Sequence, residues 1–284
     1  MHDPNSVAMR NMRHTLYPKE HPSHKFTFAQ SLKNLELMKR ADLLRWMKGF
    51  TMNGVCCTVS GDTRGFKTSE LLAFIHSFKR TPAEALIKVP ALDARKFKDI
   101  RTSIAGKGSV DVVLAHHIPV YRDSALFAPL QVCNELLGGS FSSHLMQTVR
   151  DRDGLTYRAY SGLRDFDNYT SGILTLAGSF NSHNYQKGKD ALVTELATFK
   201  KKILTKDEVA LAKENLITNA LFSRSSTNGL AHVVQYSLEE FGDLRHLTDS
   251  LDKIRAVTLD DVLEARAYFS PECLSEFSAG TFKK

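Results

Sequence analysis

Apolar residues at Leu35, Met38, Leu43 and Trp46 recur at helical spacing between Ser31 and Gly49, which predicts an amphipathic helix there. NGVCCTVSGD follows as a short apolar run closed by Gly61-Asp62, the pattern of a buried strand ending in a turn. FKTSELLAFIHSFKR returns to the helical period through Leu71, Leu72, Ile75 and Phe78. A Pro-containing stretch with weak strand character leads to SVDVVLAHH, a clearer strand, and Asp123 opens a helix through DSALFAPLQVCNELL. LTYRAYSG and SGILTLAGSF, joined by the polar turn RDFDN, predict an antiparallel pair. Thr205 and Glu208 in TKDE have capping-box spacing before a long helix. A last helix runs from Thr258 to Tyr268, and a short strand covers Cys273 to Phe277.

Strands in groups among several helices favour an α+β fold: a largely antiparallel sheet with helices on one face, a two-layer sandwich. No repeat of solenoid length is visible. Residues 1–30 show little periodicity and are expected to be a connector or the tail of something preceding; 31–284 form the domain proper.

Composition adds only limits. With 284 residues, 42% hydrophobic and 24% charged, the chain has an ordinary globular make-up. No apolar run is long enough to span a membrane, and the N-terminus lacks the apolar core of a secretory signal. Cys56, Cys57, Cys133 and Cys273 show no CxxC spacing, so they are expected to be buried free thiols in a reducing compartment, cytoplasm or organelle matrix. The net charge of +7 is concentrated in residues 1–50, which hold nine Lys/Arg against four Asp/Glu. No nucleic-acid recognition motif accompanies that charge, so nucleic acid is not the expected partner.

The stretch LGGSFSSHLMQTVRDRDGLTY carries most of the chemical options. Gly138-Gly139-Ser140 fits neither phosphate-binding pattern. The expected roles are structural, with the glycines ending one helix at positive φ and Ser140 capping the next. Ser142, Ser143, His144 and Asp151 supply the residue types of a serine nucleophile, but no GxSxG is present, and adjacent Ser and His on a helix diverge. A helical zinc site needs two histidines four apart with a glutamate, and no pair has that spacing. His116 and His117, adjacent on a strand, would face opposite ways. A loose surface site from His14, His21 and His24 is the remaining metal option.

The order VSGD, helix, strand, LLGGSFSSHLMQTVRDRDGLTYRAYSG and a long helical tail resembles the non-zinc, C-terminal half-domain of the insulinase/pitrilysin family of zinc metallopeptidases. Two departures stand out, His144 where the family has Arg and Asp153 where it has Glu. The resemblance implies the processing-peptidase half-domain fold and a role as half of a zinc metallopeptidase. It places zinc in another half-domain or subunit that bears HxxEH, with no cofactor in this chain. It implies a peptide or unfolded polypeptide as substrate, and carries catalytic roles onto Arg150 and Tyr157 and substrate contacts onto Gly138, Gly139, Ser140 and Phe141. Peptide hydrolysis builds charge on the carbonyl oxygen, where a fixed donor such as a Tyr hydroxyl contributes about 2.7–4 kcal/mol. Alone, the chain is expected to be inactive. The alternative is a non-catalytic peptide-binding or assembly subunit of the same fold.

Overall fold

The structure, a computed structural model, describes residues 3–49, 55–77, 89–92 and 99–283. In chain order its elements are α1 (Pro4–Leu16), α2 (Phe28–Leu37), α3 (Arg40–Gly49), α4 (Thr68–Ser77), β1 (Ile100–Ser103), β2 (Ser109–Ile118), α5 (Phe127–Asn134), β3 (Ala159–Arg164), β4 (Gly172–Asn181), α6 (Tyr185–Lys201), α7 (Lys206–Ser223), α8 (Thr227–Phe241), α9 (His246–Ala256), α10 (Leu259–Ala265) and β5 (Ser275–Gly280). They fall into two compact units, one of residues 1–27, 89–218 and 250–284 and one of residues 28–88 and 219–249.

The first unit is built on a five-stranded sheet in the order β1-β5-β2-β4-β3. Only β1 and β5 run parallel; β2 pairs antiparallel with β5 and β4, and β4 with β3. The α+β reading with a largely antiparallel sheet therefore stands. Val110, Val112 and Leu114 of β2 join Leu174, Leu176 and Phe180 of β4 in a core with Leu130, Leu137, Leu192, Phe199 and Val262 from the helices. Burial is not confined to that face. The intervening residues Val113, Ala115, Ile173, Ala177 and Phe277 are also at most 2% exposed, and α1 packs on β2 and β5 with Val7, Ala8, Met12 and Leu16 buried. The run V-V-L-A in β2 is apolar at both parities, as a strand covered on both faces requires.

The tract expected to be a connector thus contains a helix. Its local signals are Asp3, whose carboxylate accepts from the Ser6 backbone, Pro4 in the first turn, and apolar residues at 8, 12 and 16. Arg13 donates to Asp165 at 2.9 Å, Tyr17 OH to the same carboxylate at 2.8 Å, and Asn11 to Thr102 at 2.9 Å.

In the second unit the helix expected over 31–49 is two helices. Between them the Lys39 backbone N–H donates to the Asp42 carboxylate at 3.0 Å, a local bond that replaces the helical one. Part of NGVCCTVSGD lies outside the described residues; over 55–60 the chain is not a strand but has no regular secondary structure. Thr58 Oγ1 donates to Gln235 Oε1 at 2.8 Å, and the Cys56 carbonyl accepts from Gln235 Nε2 at 3.1 Å. A helix side chain, rather than a ladder, satisfies it. The weak strands expected before β1 lie largely outside the described residues. Helix α5 begins at Phe127 instead of Asp123, which puts Pro129 in its first turn, where a missing N–H costs nothing. The expected capping box of Thr205 with Glu208 forms, and Thr258 forms a second with Asp261. The cysteines are free, but only Cys133 is fully buried, and Cys57 is exposed.

Candidate functional site

Helix α5 passes into a wider π-helical turn, Glu135–Gly139, and a second π-helix spans Met146–Arg152. Neither Gly138 nor Gly139 has positive φ; Gly138 sits at −161°. The expected left-handed helix end is replaced by a need for space. A Cβ on Gly138 would run into the Ser161 backbone nitrogen of β3, 2.7 Å from the Ser161 hydroxyl and 2.8 Å from Leu145 Cδ1. One on Gly139 would collide with the Glu135 carboxylate. Ser140 does not cap the following helix; its carbonyl accepts from the Ser143 N–H, and its hydroxyl lies 3.2 Å from that of Ser142.

Buried Met146 and Val149 fix the Met146–Arg152 helix against the core. It ends at Gly154, the residue with the left-handed conformation (φ 59°), whose N–H donates to the Arg150 carbonyl while Leu155 N–H donates to Val149. Leu155 is buried, and the Thr156 hydroxyl donates to the Ser179 carbonyl of β4 at 2.6 Å. These two anchors turn Tyr157 outward, 82% exposed. The Arg150 guanidinium carbon lies 5.0 Å from the Tyr157 ring centre and 5.8 Å from that of Phe141, itself 76% exposed. Arg150 also meets Asp151 at 3.6 Å. Of the residues expected to form a site, half-buried Arg150 and the exposed rings of Tyr157 and Phe141 form one cationic-aromatic surface; Ser140 and Gly139 border it in sequence, and Gly138 is buried.

A polar cluster forms around His144. His144, 9% exposed, is held below the usual imidazole range by burial and then by the Lys202 ammonium. Lys202 donates to His144 Nε2 at 3.3 Å and to Glu208 at 2.9 Å. Glu195 and Glu208 stand 3.9 and 4.0 Å from the ring and form ion pairs with it only when the imidazole is protonated. Burial pushes the carboxyls of Glu135 and Glu195 above the ordinary range.

The chain lacks HxxEH and HExxH, and among the described residues no group of three His, Cys, Asp or Glu could hold a metal ion. His116 is buried, with Nδ1 on the His117 carbonyl and Nε2 accepting from Ser270 N–H. His14 and His24 lie with ring centres 5.0 Å apart and planes tilted by 53°, without forming a ligand set. Among the described residues no helix is long and apolar enough to cross a membrane.

The chain is 32% identical over 133 residues to an uncharacterized zinc protease, YmxG, of Bacillus subtilis, a match covering 47% of this chain and 32% of that protein. An uncharacterized zinc protease of Streptomyces coelicolor matches similarly, at 32% over 136 residues, 46% of this chain and 28% of the relative. The chain thus spans about a third of the curated relatives it matches. Among solved structures, the peptidase M16 inactive domain from Pseudomonas fluorescens superposes with a TM-score of 0.76 at 20% identity, over 99% of this chain and 68% of that one. A protease from Helicobacter pylori gives 0.73 at 17%, over 98% and 67%. The model of the peptidase M16 inactive domain matches residues 51–216, and the chain belongs to the family of peptidase M16 inactive domains.

Proposed function

We propose that this domain binds a peptide or unfolded polypeptide over Arg150, Phe141 and Tyr157, and stabilises the oxyanion formed when a zinc centre on another half-domain or subunit hydrolyses it. The observation that carries the reading is the pairing of half-buried Arg150 with exposed Tyr157 at 5.0 Å. A cation and a phenol donor fixed on one open surface suit a developing negative charge. Arg150 offers a fork of donors to a substrate carbonyl or carboxylate. Phe141 packs against Arg150 at 5.8 Å and, with its sequence neighbours Gly139 and Ser140, contributes substrate contacts; Gly138 serves by letting the turn approach β3. In the complete enzyme zinc supplies Lewis-acid chemistry from outside this chain.

The test is peptide hydrolysis with zinc, by this chain alone and by the chain mixed with an HxxEH-bearing half. The expected result is none alone and activity on mixing. Robust hydrolysis by the chain alone overturns the proposal. Peptide binding without hydrolysis in the mixture assigns instead a non-catalytic peptide-binding or assembly subunit.

A further inference from the structure

The turn Glu135–Gly139, the residues entering the Met146–Arg152 helix and α7 border a cavity of about 120 Å³. This is far more than one water needs. Its polar lining includes Glu135, Ser140, Ser142, Ser143, Gln147 and Glu208. Two of these are buried and unsatisfied. Glu135 is 5% exposed and its Oε1 meets no donor; Ser143 is 2% exposed and its hydroxyl has no partner. Orphaned buried polar atoms are rare enough that two on one cavity point to a ligand.

The charge decides which ligand. Two carboxylates and no Lys or Arg line the space. Glu208 is already engaged by Lys202 at 2.9 Å and by the Thr205 N–H at 2.8 Å, which leaves Glu135 as the carboxylate without a counter-charge. The serine hydroxyls add acceptors, and Leu211 adds an apolar wall. A metal ion needs several fixed ligands, and no such group exists among the described residues. An ammonium needs only one carboxylate and a few oxygens around its three N–H bonds.

We propose that this cavity binds a primary ammonium group, with Glu135 as its counter-charge, the Ser143 hydroxyl as a second acceptor and Leu211 against the alkyl stem. The proposal does not depend on hydrolysis at Arg150 and Tyr157. The ammonium can come from a free amine or from a lysine side chain of a bound peptide.

The test is titration of the isotopically labelled 284-residue chain with methylammonium, following the backbone amide signals of Gly139, Ser140 and Ser143. Tetramethylammonium at equal ionic strength supplies the charge without donors. Saturable shifts with methylammonium alone are expected, weakened by about tenfold or more in Glu135→Gln and by less in Ser143→Ala. Unfolding of each variant is followed in parallel, so Ser143→Ala carries the test if Glu135→Gln does not fold. An acetylated peptide with one lysine is compared with its norleucine counterpart. Shifts from the lysine peptide alone assign the side chain as the source; methylammonium shifts without a lysine-peptide effect assign a free amine. No saturable methylammonium shift, equal shifts with tetramethylammonium, or an unchanged affinity in a folded Glu135→Gln variant overturns the proposal.

Discussion

The Arg150 guanidinium lies 5.0 Å from the centre of the Tyr157 ring, although the chain reverses between them at Gly154. The contact holds the aromatic ring in one place while its hydroxyl stays in solvent, and at an exposed site such a pair contributes about 0.5–1 kcal/mol.

Tyr157→Phe separates the donor from the positioning. Phe keeps the ring under Arg150 and removes only the O–H. In the complete enzyme kcat should fall about 10²–10³-fold with little change in KM, while Tyr157→Ala should change both. The ring is 82% exposed, so unfolding of either variant should match the wild type within about 0.5 kcal/mol. Unchanged kcat in Tyr157→Phe removes the hydroxyl from the reaction.

Two glycines on either side of this site are needed for different reasons, and alanine distinguishes them. Gly154 has open space around a Cβ but a φ of 59°, so Gly154→Ala should cost about 1–2 kcal/mol through backbone strain. Gly138 has an extended φ but backbone and core atoms where a Cβ would go, so Gly138→Ala should cost about 1–3 kcal/mol through overpacking. Urea denaturation measures both. Adding Ser161→Gly, which removes one of the atoms in the way, should recover part of the loss for Gly138→Ala and none for Gly154→Ala.

Asp165 has a left-handed backbone (φ 59°) and ties α1 to the β3–β4 turn through Arg13 and Tyr17. Asp165→Ala would leave the hydroxyl of Tyr17, 2% exposed, without its acceptor, at about 1–3 kcal/mol, and would put alanine where its Cβ is strained. Asp165→Asn tolerates that backbone and keeps an acceptor, so its loss should be smaller. Equal urea midpoints for wild type and Asp165→Ala would mean that α1 is not anchored there.

Signals within one turn or one strand were legible in the sequence. The apolar run in β2, the β3–β4 hairpin, the Thr205 capping box and the helix start at Thr258 depend on neighbours a few residues away. What escaped depends on distant partners. Residues 55–60 have a strand's pattern, but Gln235 takes up their polar groups from 177 positions away. Gly138-Gly139 suggests a helix end by local statistics, whereas Ser161 and Glu135 impose the real constraint. The Arg150 and Tyr157 assignment came from family resemblance, since spacing alone cannot say that a chain reversal will stack them. That Glu135 and Ser143 each bury an unpartnered atom had no signal, because being buried without a partner is a property of the assembled core.

Two buried carboxylates should respond to pH in opposite directions. Glu276 is 3% exposed, yet despite burial its pKa is lowered by Arg101, Ser278 and Tyr185, which donate at 2.8–2.9 Å, with Lys189 beyond at 3.4 Å. Its folded value lies below the ordinary 4.5, so the unfolded chain binds the extra proton, and the stability it contributes is present above 4.5 and lost as pH falls through the folded value. Glu135 is the reverse. Burial raises it, with Ser140 opposing, and Glu208 and His144 share its cavity. The folded chain then binds the extra proton, so stability is greatest below 4.5 and falls as pH rises through the folded value. Melting temperatures on both sides of pH 4.5 should therefore show Glu276→Gln falling further below wild type as pH rises, and Glu135→Gln gaining on wild type over the same interval. A Glu135→Gln difference that does not change with pH would mean that this carboxylate is no harder to ionise in the folded protein than in the unfolded chain.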